Sequence, residues 1–125
     1  MRKKTRRTEQ VSSLIMKNLS EIILSELSDP AMGIVSVTDV EVTVDLRVAR
    51  VYFTVMGGGR ALEKQINTVK GMGKFLRVKL ASRVQLKYMP EIKLFYDETP
   101  RKAQRIETII AKLKREGSLE QSGNE

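Results

Sequence analysis

The sequence contains no cysteine and no histidine. Without cysteine there is no disulfide framework and no thiol chemistry, a condition that fits a reducing compartment. Without histidine the commonest general base and the commonest metal ligand are missing. No stretch approaches the roughly 20 apolar residues needed to cross a bilayer. The basic start runs into polar Thr8-Glu9-Gln10, not into the apolar core of a signal peptide. The acidic residues are scattered, and no pair has the logic of acid/base catalysis or metal binding. Together these absences agree with a non-enzymatic protein without cofactor or metal, and a cytoplasmic location is expected.

What is present is positive charge. The 125 residues carry a net charge of +8 and a pI near 9.9. The length predicts one domain. A 41% hydrophobic composition is enough for a packed core. Such a charge is the footprint of a nucleic-acid binder, with an anionic membrane surface as the competing reading. The basic residues are not spread evenly. Residues 1–8 read as a basic arm containing Arg2, Lys3, Lys4, Arg6 and Arg7. Between Glu63 and Glu91 there is no acid, but there are seven cations: Lys64, Lys70, Lys74, Arg77, Lys79, Arg83 and Lys87.

The hydrophobic pattern orders the chain. Val11, Leu14, Ile15, Leu19, Ile22, Ile23 and Leu27 recur at helical spacing, and Ser28-Asp29-Pro30 ends that helix. Its polar face mixes Glu21 and Glu26 with Lys17, unlike a membrane-surface helix. Ile34 to Val44 reads as a strand with a phase fault. Val35 and Val37 point one way and Val40, Val42 and Val44 the other, so a bulge is expected near Thr38-Asp39. Asp45-Leu46-Arg47 forms the turn into a second strand, Val48 to Met56. Ala49, Val51, Phe53 and Val55 face the core there, and Arg50, Tyr52 and Thr54 face away. The Gly57-Gly58-Gly59 linker lacks the residues of a nucleotide-phosphate loop.

A helical segment follows, with Leu62, Ile66 and Val69 inward, and is broken by Gly71-Met72-Gly73. Each glycine costs roughly 1 kcal/mol against alanine in a helix, so a kink or break is expected there. The pattern then continues as a helix from Lys74 to Lys87. Leu76, Leu80 and Val84 form its core row, and Lys79, Arg83 and Lys87 a neighbouring basic row without acidic partners at i±4. Glu91 to Asp97 reads as a third strand. Thr99 and Pro100 open a last helix with the stripe Ile106, Ile109, Ile110 and Leu113. Residues 117–125 read as a polar, flexible tail.

The order helix, strand, strand, helix, helix, strand implies an α+β domain of the type II KH kind over residues 9–97, followed by a C-terminal helix over 98–116. In a KH domain a Gly-x-x-Gly loop between two helices clamps the nucleic-acid backbone. Here that place holds Gly71-Met72-Gly73, so a kinked helix pair stands where the loop would be. The expected RNA contacts are Lys70, Gly71, Gly73, Lys74, Arg77, Lys79, Arg83 and Lys87, together with the arm.

Several short motifs, in this order and spacing, resemble one family. They are Arg6-Arg7 before the first helix, Ser28-Asp29-Pro30, Val37-Thr38-Asp39-Val40, and Asp45-Leu46-Arg47-Val48-Ala49-Arg50-Val51-Tyr52. Gly71-Met72-Gly73-Lys74-Phe75-Leu76-Arg77 and Pro90-Glu91-Ile92-Lys93-Leu94-Phe95-Tyr96-Asp97 complete the set. From about Arg6 to Leu113 the chain resembles ribosome-binding factor A, a bacterial small-subunit assembly factor. The family commonly has alanine where Gly71 stands. The resemblance implies a KH-like fold without enzymatic activity and a monomer that binds the free small (30S) ribosomal subunit. It implies assistance in late maturation and processing of 16S rRNA, near its 5′ terminal helix and neck region. It also implies cold adaptation, and release with help from assembly GTPases.

Two readings of another class remain. A DNA-binding protein would need a helix suited to the major groove or a dimer with defined half-site spacing, and the strands around Gly71–Gly73 fit this badly. A protein-binding adaptor could use the outer sheet face, where Tyr52 and Phe95 sit with Arg50 and Lys93 unless the C-terminal helix covers them.

Overall fold

The computed structural model describes residues 5–27 and 29–124, with the side chains of 101, 102, 104 and 117–124 left aside. Helix α1 spans Arg6–Glu26, and strands β1 and β2 span Ile34–Val42 and Val48–Met56. Helices α2 (Leu62–Lys70) and α3 (Gly73–Ala81) lead to β3 (Glu91–Tyr96), and α4 covers Thr99–Asn124. The order is the expected α+β, KH-like one.

Helix α1 starts earlier than the apolar pattern suggests. Thr5 caps it reciprocally with Thr8: the Thr8 amide donates to the Thr5 hydroxyl at 3.1 Å and the Thr5 amide to the Thr8 hydroxyl at 2.9 Å. Two orphan donors are thereby satisfied, and Arg6 and Arg7 become the first turn of a helix. Arg2, Lys3 and Lys4 lie outside the described residues, as does Ser28. Val11, Ile15, Leu19, Ile22 and Ile23 are buried, whereas Leu14 is exposed.

The sheet has the order β1-β2-β3. β1 pairs antiparallel with β2, and β2 parallel with β3. The parallel step needs a crossover, which α2 and α3 supply. The phase fault in β1 is resolved by a register shift between Val37 and Asp39, so that Val35, Val40 and Val42 all reach the core. Val44 does not follow them: β1 ends at Val42, and Val44 is exposed in the turn. Ala49, Val51, Phe53 and Val55 are wholly buried. Thr54, expected on the outer face, is buried too. It lies on the middle strand, with Ser36 beside it on β1 and the chain leaving β3 on its other side, where the Asp97 amide donates to the Phe53 carbonyl.

A residue that periodicity did not single out fixes the linker. Gln65 is buried, and its amide donates to the Met32 and Gly57 carbonyls, both at 2.8 Å. It ties α2 to the two turns at one end of the β1–β2 hairpin.

The glycines of the helix junction have different jobs. Gly71 ends α2 with φ −76° and ψ −4°, and a Cβ there would meet only ordinary contacts at 3.5 Å or more. Gly73 opens α3, and a Cβ there would lie 2.7 Å from the Ile92 carbonyl oxygen. Gly73 therefore lets α3 touch the β3 backbone. Its necessity comes from packing and not from φ. Beyond Ala81 the helix stops, short of the expected Lys87. The Ser82 hydroxyl donates to the Lys79 carbonyl at 2.6 Å, closing the last turn, and Pro90 favours an extended approach to β3.

The last helix also departs from expectation. It runs on through the segment read as a flexible tail, to Asn124. Its stripe of Ile106, Ile109, Ile110 and Leu113 is exposed and does not cover the sheet. Phe95 is exposed and Tyr52 half-buried on the outer face, their rings stacked at 5.6 Å. Where α4 leaves the sheet, the Thr38 hydroxyl at the β1 bulge donates to Asp97 Oδ2 at 2.6 Å, and the Thr99 amide donates to Oδ1 at 2.9 Å.

Three outcomes are expected. Gly73→Ala should destabilise the fold by about 1–3 kcal/mol through overpacking against Ile92. Gly71→Ala should be neutral or stabilising by up to about 1 kcal/mol. Urea unfolding of the pair decides, and equal effects would remove the special role of Gly73. Gln65→Leu should cost about 1–3 kcal/mol by removing the donor to the Met32 carbonyl in a buried hydrogen bond, read by the same assay. The third outcome concerns acid. The Thr38 hydroxyl, and then the Thr99 amide, hold the Asp97 carboxyl below the usual carboxylate range. A depressed folded pKa stabilises fully at neutral pH, and that stability is lost as pH falls below about 4. Thr38→Val should flatten this acid dependence in pH-resolved thermal melts, and an unchanged profile would contradict the assignment.

Candidate nucleic-acid interface

The α2–α3 junction lies against the start of β2 and β3, because parallel pairing sets Val48 beside Glu91. The Glu91 amide donates to the Arg47 carbonyl at 2.8 Å, which brings the β1–β2 turn to the junction. Between them is an open cleft of about 1170 Å³ lined by Lys70, Gly71, Gly73, Lys74 and Arg77 on the helical side. Arg47, Tyr88, Met89, Glu91, Ile92 and Asp45 line the other side. Four cations face two carboxylates there, so the cleft is net positive. The first turn of α3 contains no acid, and its amide dipoles add to the positive potential.

Each cation is held differently. Arg77 donates from Nε to the Pro90 carbonyl at 3.2 Å and from Nη2 to the Met89 carbonyl at 2.9 Å. These bonds aim the guanidinium and leave its remaining donors for a ligand. Lys70 and Lys74 are exposed and have no acidic partner among the described residues. Arg47 is placed by the turn. Asp45 Oδ1 accepts from the Thr43 hydroxyl at 2.7 Å and from the Arg47 amide at 3.1 Å. The Thr43 hydroxyl first, and then the Arg47 amide, keep the Asp45 carboxyl below its ordinary pKa. Leu46 sits between them with φ +61°, a left-handed conformation that costs a leucine about 1–3 kcal/mol.

Of the residues expected to bind RNA, the structure brings Lys70, Gly71, Gly73, Lys74 and Arg77 together. It separates others from them. Lys79 and Arg83, which have no acidic partner at i±4, are not left to an outside anion. They pair instead with the first helix: Lys79 Nζ lies 3.3 Å from Glu26 Oε1, and Arg83 Nη1 lies 2.8 Å from Glu21 Oε2. Spacing at i±4 does not reach these acids, because they come from α1, which packs on α3 in space. Lys87 is not on a helical row with them. It lies in the loop before β3, its ammonium 5.6 Å from the Tyr88 ring centre. Arg7 is near this loop, whereas Arg6 is exposed elsewhere in the first turn of α1. Arg47 and Tyr88 were missed by sequence reasoning. Only the Asp-x-Arg turn gave a signal for Arg47, and its relation to the glycines depends on parallel β2–β3 pairing.

Among the described residues there is no cluster of acidic side chains able to hold a metal ion, and no helix is long and apolar enough to cross a membrane.

A three-stranded sheet with helices packed on one face, and a cationic cleft at a glycine-marked helix junction, define a KH-like domain with a surface suited to a polyanion. Within that class the chain belongs to the ribosome-binding factor A family, whose family model matches residues 7–110. A ribosome-binding factor A from Macrococcus caseolyticus (strain JCSC5402) is 38% identical over 110 residues, which are 88% of this chain and 96% of the relative. The crystal structure of ribosome-binding factor A from Thermus thermophilus superposes with a TM-score of 0.60 at 22% identity, covering 71% of this chain and 94% of that one. A homology model of the Thermus thermophilus factor, fitted into a cryo-EM map of its complex with 30S, gives a TM-score of 0.60 at 23% identity, covering 77% and 97%. These two likenesses support the fold.

Proposed function

We propose that this protein is a non-enzymatic assembly factor that binds the free small ribosomal subunit through its 16S rRNA and assists late maturation and processing of that RNA. The observation that carries this reading is the cationic cleft at the α2–α3 junction, in a chain of the ribosome-binding factor A family. Lys70, Lys74, Arg77 and Arg47 contact phosphates, and the exposed Gly71 admits the sugar-phosphate backbone without a side chain in the way. Gly73 acts through α3, seating it on β3. The Thermus thermophilus relative fitted into a 30S complex supports the choice of partner. Contact near the 5′ terminal helix and neck region, action as a cytoplasmic monomer, a role in cold adaptation and release aided by assembly GTPases rest on the family likeness alone.

Lys79 and Arg83 have a smaller part in this reading, because Glu26 and Glu21 already neutralise them. Lys70→Glu with Lys74→Glu should therefore weaken binding to purified small subunits strongly. It should also reduce the slope of log affinity against log salt by about one for each phosphate that is no longer neutralised. Lys79→Glu with Arg83→Glu should change the slope less. Sedimentation with separated subunits across a salt series is the test. Unchanged affinity and slope for the Lys70/Lys74 pair, or co-migration with assembled ribosomes in preference to free small subunits, would refute the proposal.

A further inference from the structure

Next to the cationic cleft is a second, smaller hollow of different chemistry. It measures about 270 Å³, below the usual 300–1,000 Å³ of small-molecule sites. Its walls are mainly apolar: Leu46, Leu86, Tyr88 and Pro90, with the buried Val11 of α1. Arg7 and Lys87 supply its cations. Asp45 and Tyr88 line both this slot and the cleft, so the two adjoin. One is wide and positive, and the other narrow and apolar with cations beside it.

We propose that the slot receives an unpaired base of the RNA strand whose phosphates lie in the cleft. The inference rests on the cleft reading and goes further: it makes the preferred ligand single-stranded or bulged RNA, since a paired base would first have to be unpaired and unstacked at a cost of a few kcal/mol. Four observations support it. Tyr88 is 69% exposed, with the Lys87 ammonium over its ring, and an aromatic ring on the surface is a stacking platform for a base. Leu46 adopts a left-handed backbone while its side chain packs against the core and forms an apolar wall of the slot. Arg7 and Lys87 can meet the phosphates flanking an inserted base. Asp45 repels phosphate but accepts hydrogen bonds from a base amino group, which suits the boundary between the two regions.

The test uses the full chain and two labelled probes. One is a short cytidine-rich RNA strand, and the other has the same sugar-phosphate backbone with its bases removed. Wild type should bind the base-bearing strand about tenfold or more tightly than the abasic one. Tyr88→Ser, which alters an exposed side chain, and Leu46→Gly, which relieves the backbone, should each bind both strands with the abasic strand's affinity. Lys70→Glu with Lys74→Glu should weaken both probes alike. Equal wild-type affinity for the two strands, or a base preference surviving in both slot variants, overturns the slot proposal and leaves the cleft reading intact. Absence of salt-sensitive binding to either probe removes the cleft reading and the slot with it. Loss of small-subunit binding in the slot variants without any base preference would assign the slot to an apolar protein side chain, and would equally overturn the proposal.

Discussion

The close approach of α3 to β3 at Gly73 is the constraint on which the cleft depends. With no side chain at that position, the start of a helix lies against the Ile92 carbonyl at a distance that any Cβ would forbid. This contact fixes how α3 sits on the sheet, and hence where Lys74 and Arg77 project. The same seat lets Arg77 reach the Met89 and Pro90 carbonyls, so the loop before β3 and the helix are held as one wall. Leu76 and Leu80, wholly buried, follow from the same placement.

Opposite that wall is the β1–β2 turn. Its order comes from Asp45, which takes hydrogen bonds from Thr43 and Arg47 and keeps the hairpin tight although no glycine occupies it. The turn meets the helix junction only because β3 pairs in parallel with β2. The cationic cleft is thus a meeting of three loops on a sheet whose other end is pinned by Gln65.

Much of the fold was legible in residue patterns. The phase slip between Val37 and Val40 pointed to the bulge, and the alternation from Ala49 to Val55 identified the buried middle strand. The glycines located the helix break, and the acid-free run contained three of the cleft's four cations, Lys70, Lys74 and Arg77. What was hidden depends on partners distant in sequence. Glu21 and Glu26 neutralise Arg83 and Lys79 across a helix–helix contact, which no local spacing encodes. Gln65 looks like an ordinary polar helix residue until the turns around Met32 and Gly57 are placed beside it. The solvent-facing stripe of α4 shows the opposite case: helical periodicity is satisfied, yet periodicity does not say whether a face finds a neighbour.

The parallel pairing of β2 with β3 also has a kinetic meaning. The β1–β2 hairpin closes over a short turn, whereas β3 joins only after the whole α2–α3 segment has been looped back, at a greater cost in chain entropy. The two walls of the cleft come from opposite sides of that closure: Asp45 and Arg47 from the local hairpin, Lys70 to Arg77 and Glu91 from the returning segment. A chain that has formed only its hairpin and first helix therefore has the charge of the finished protein but no cleft. The cleft is complete only when the least local pairing in the sheet is made.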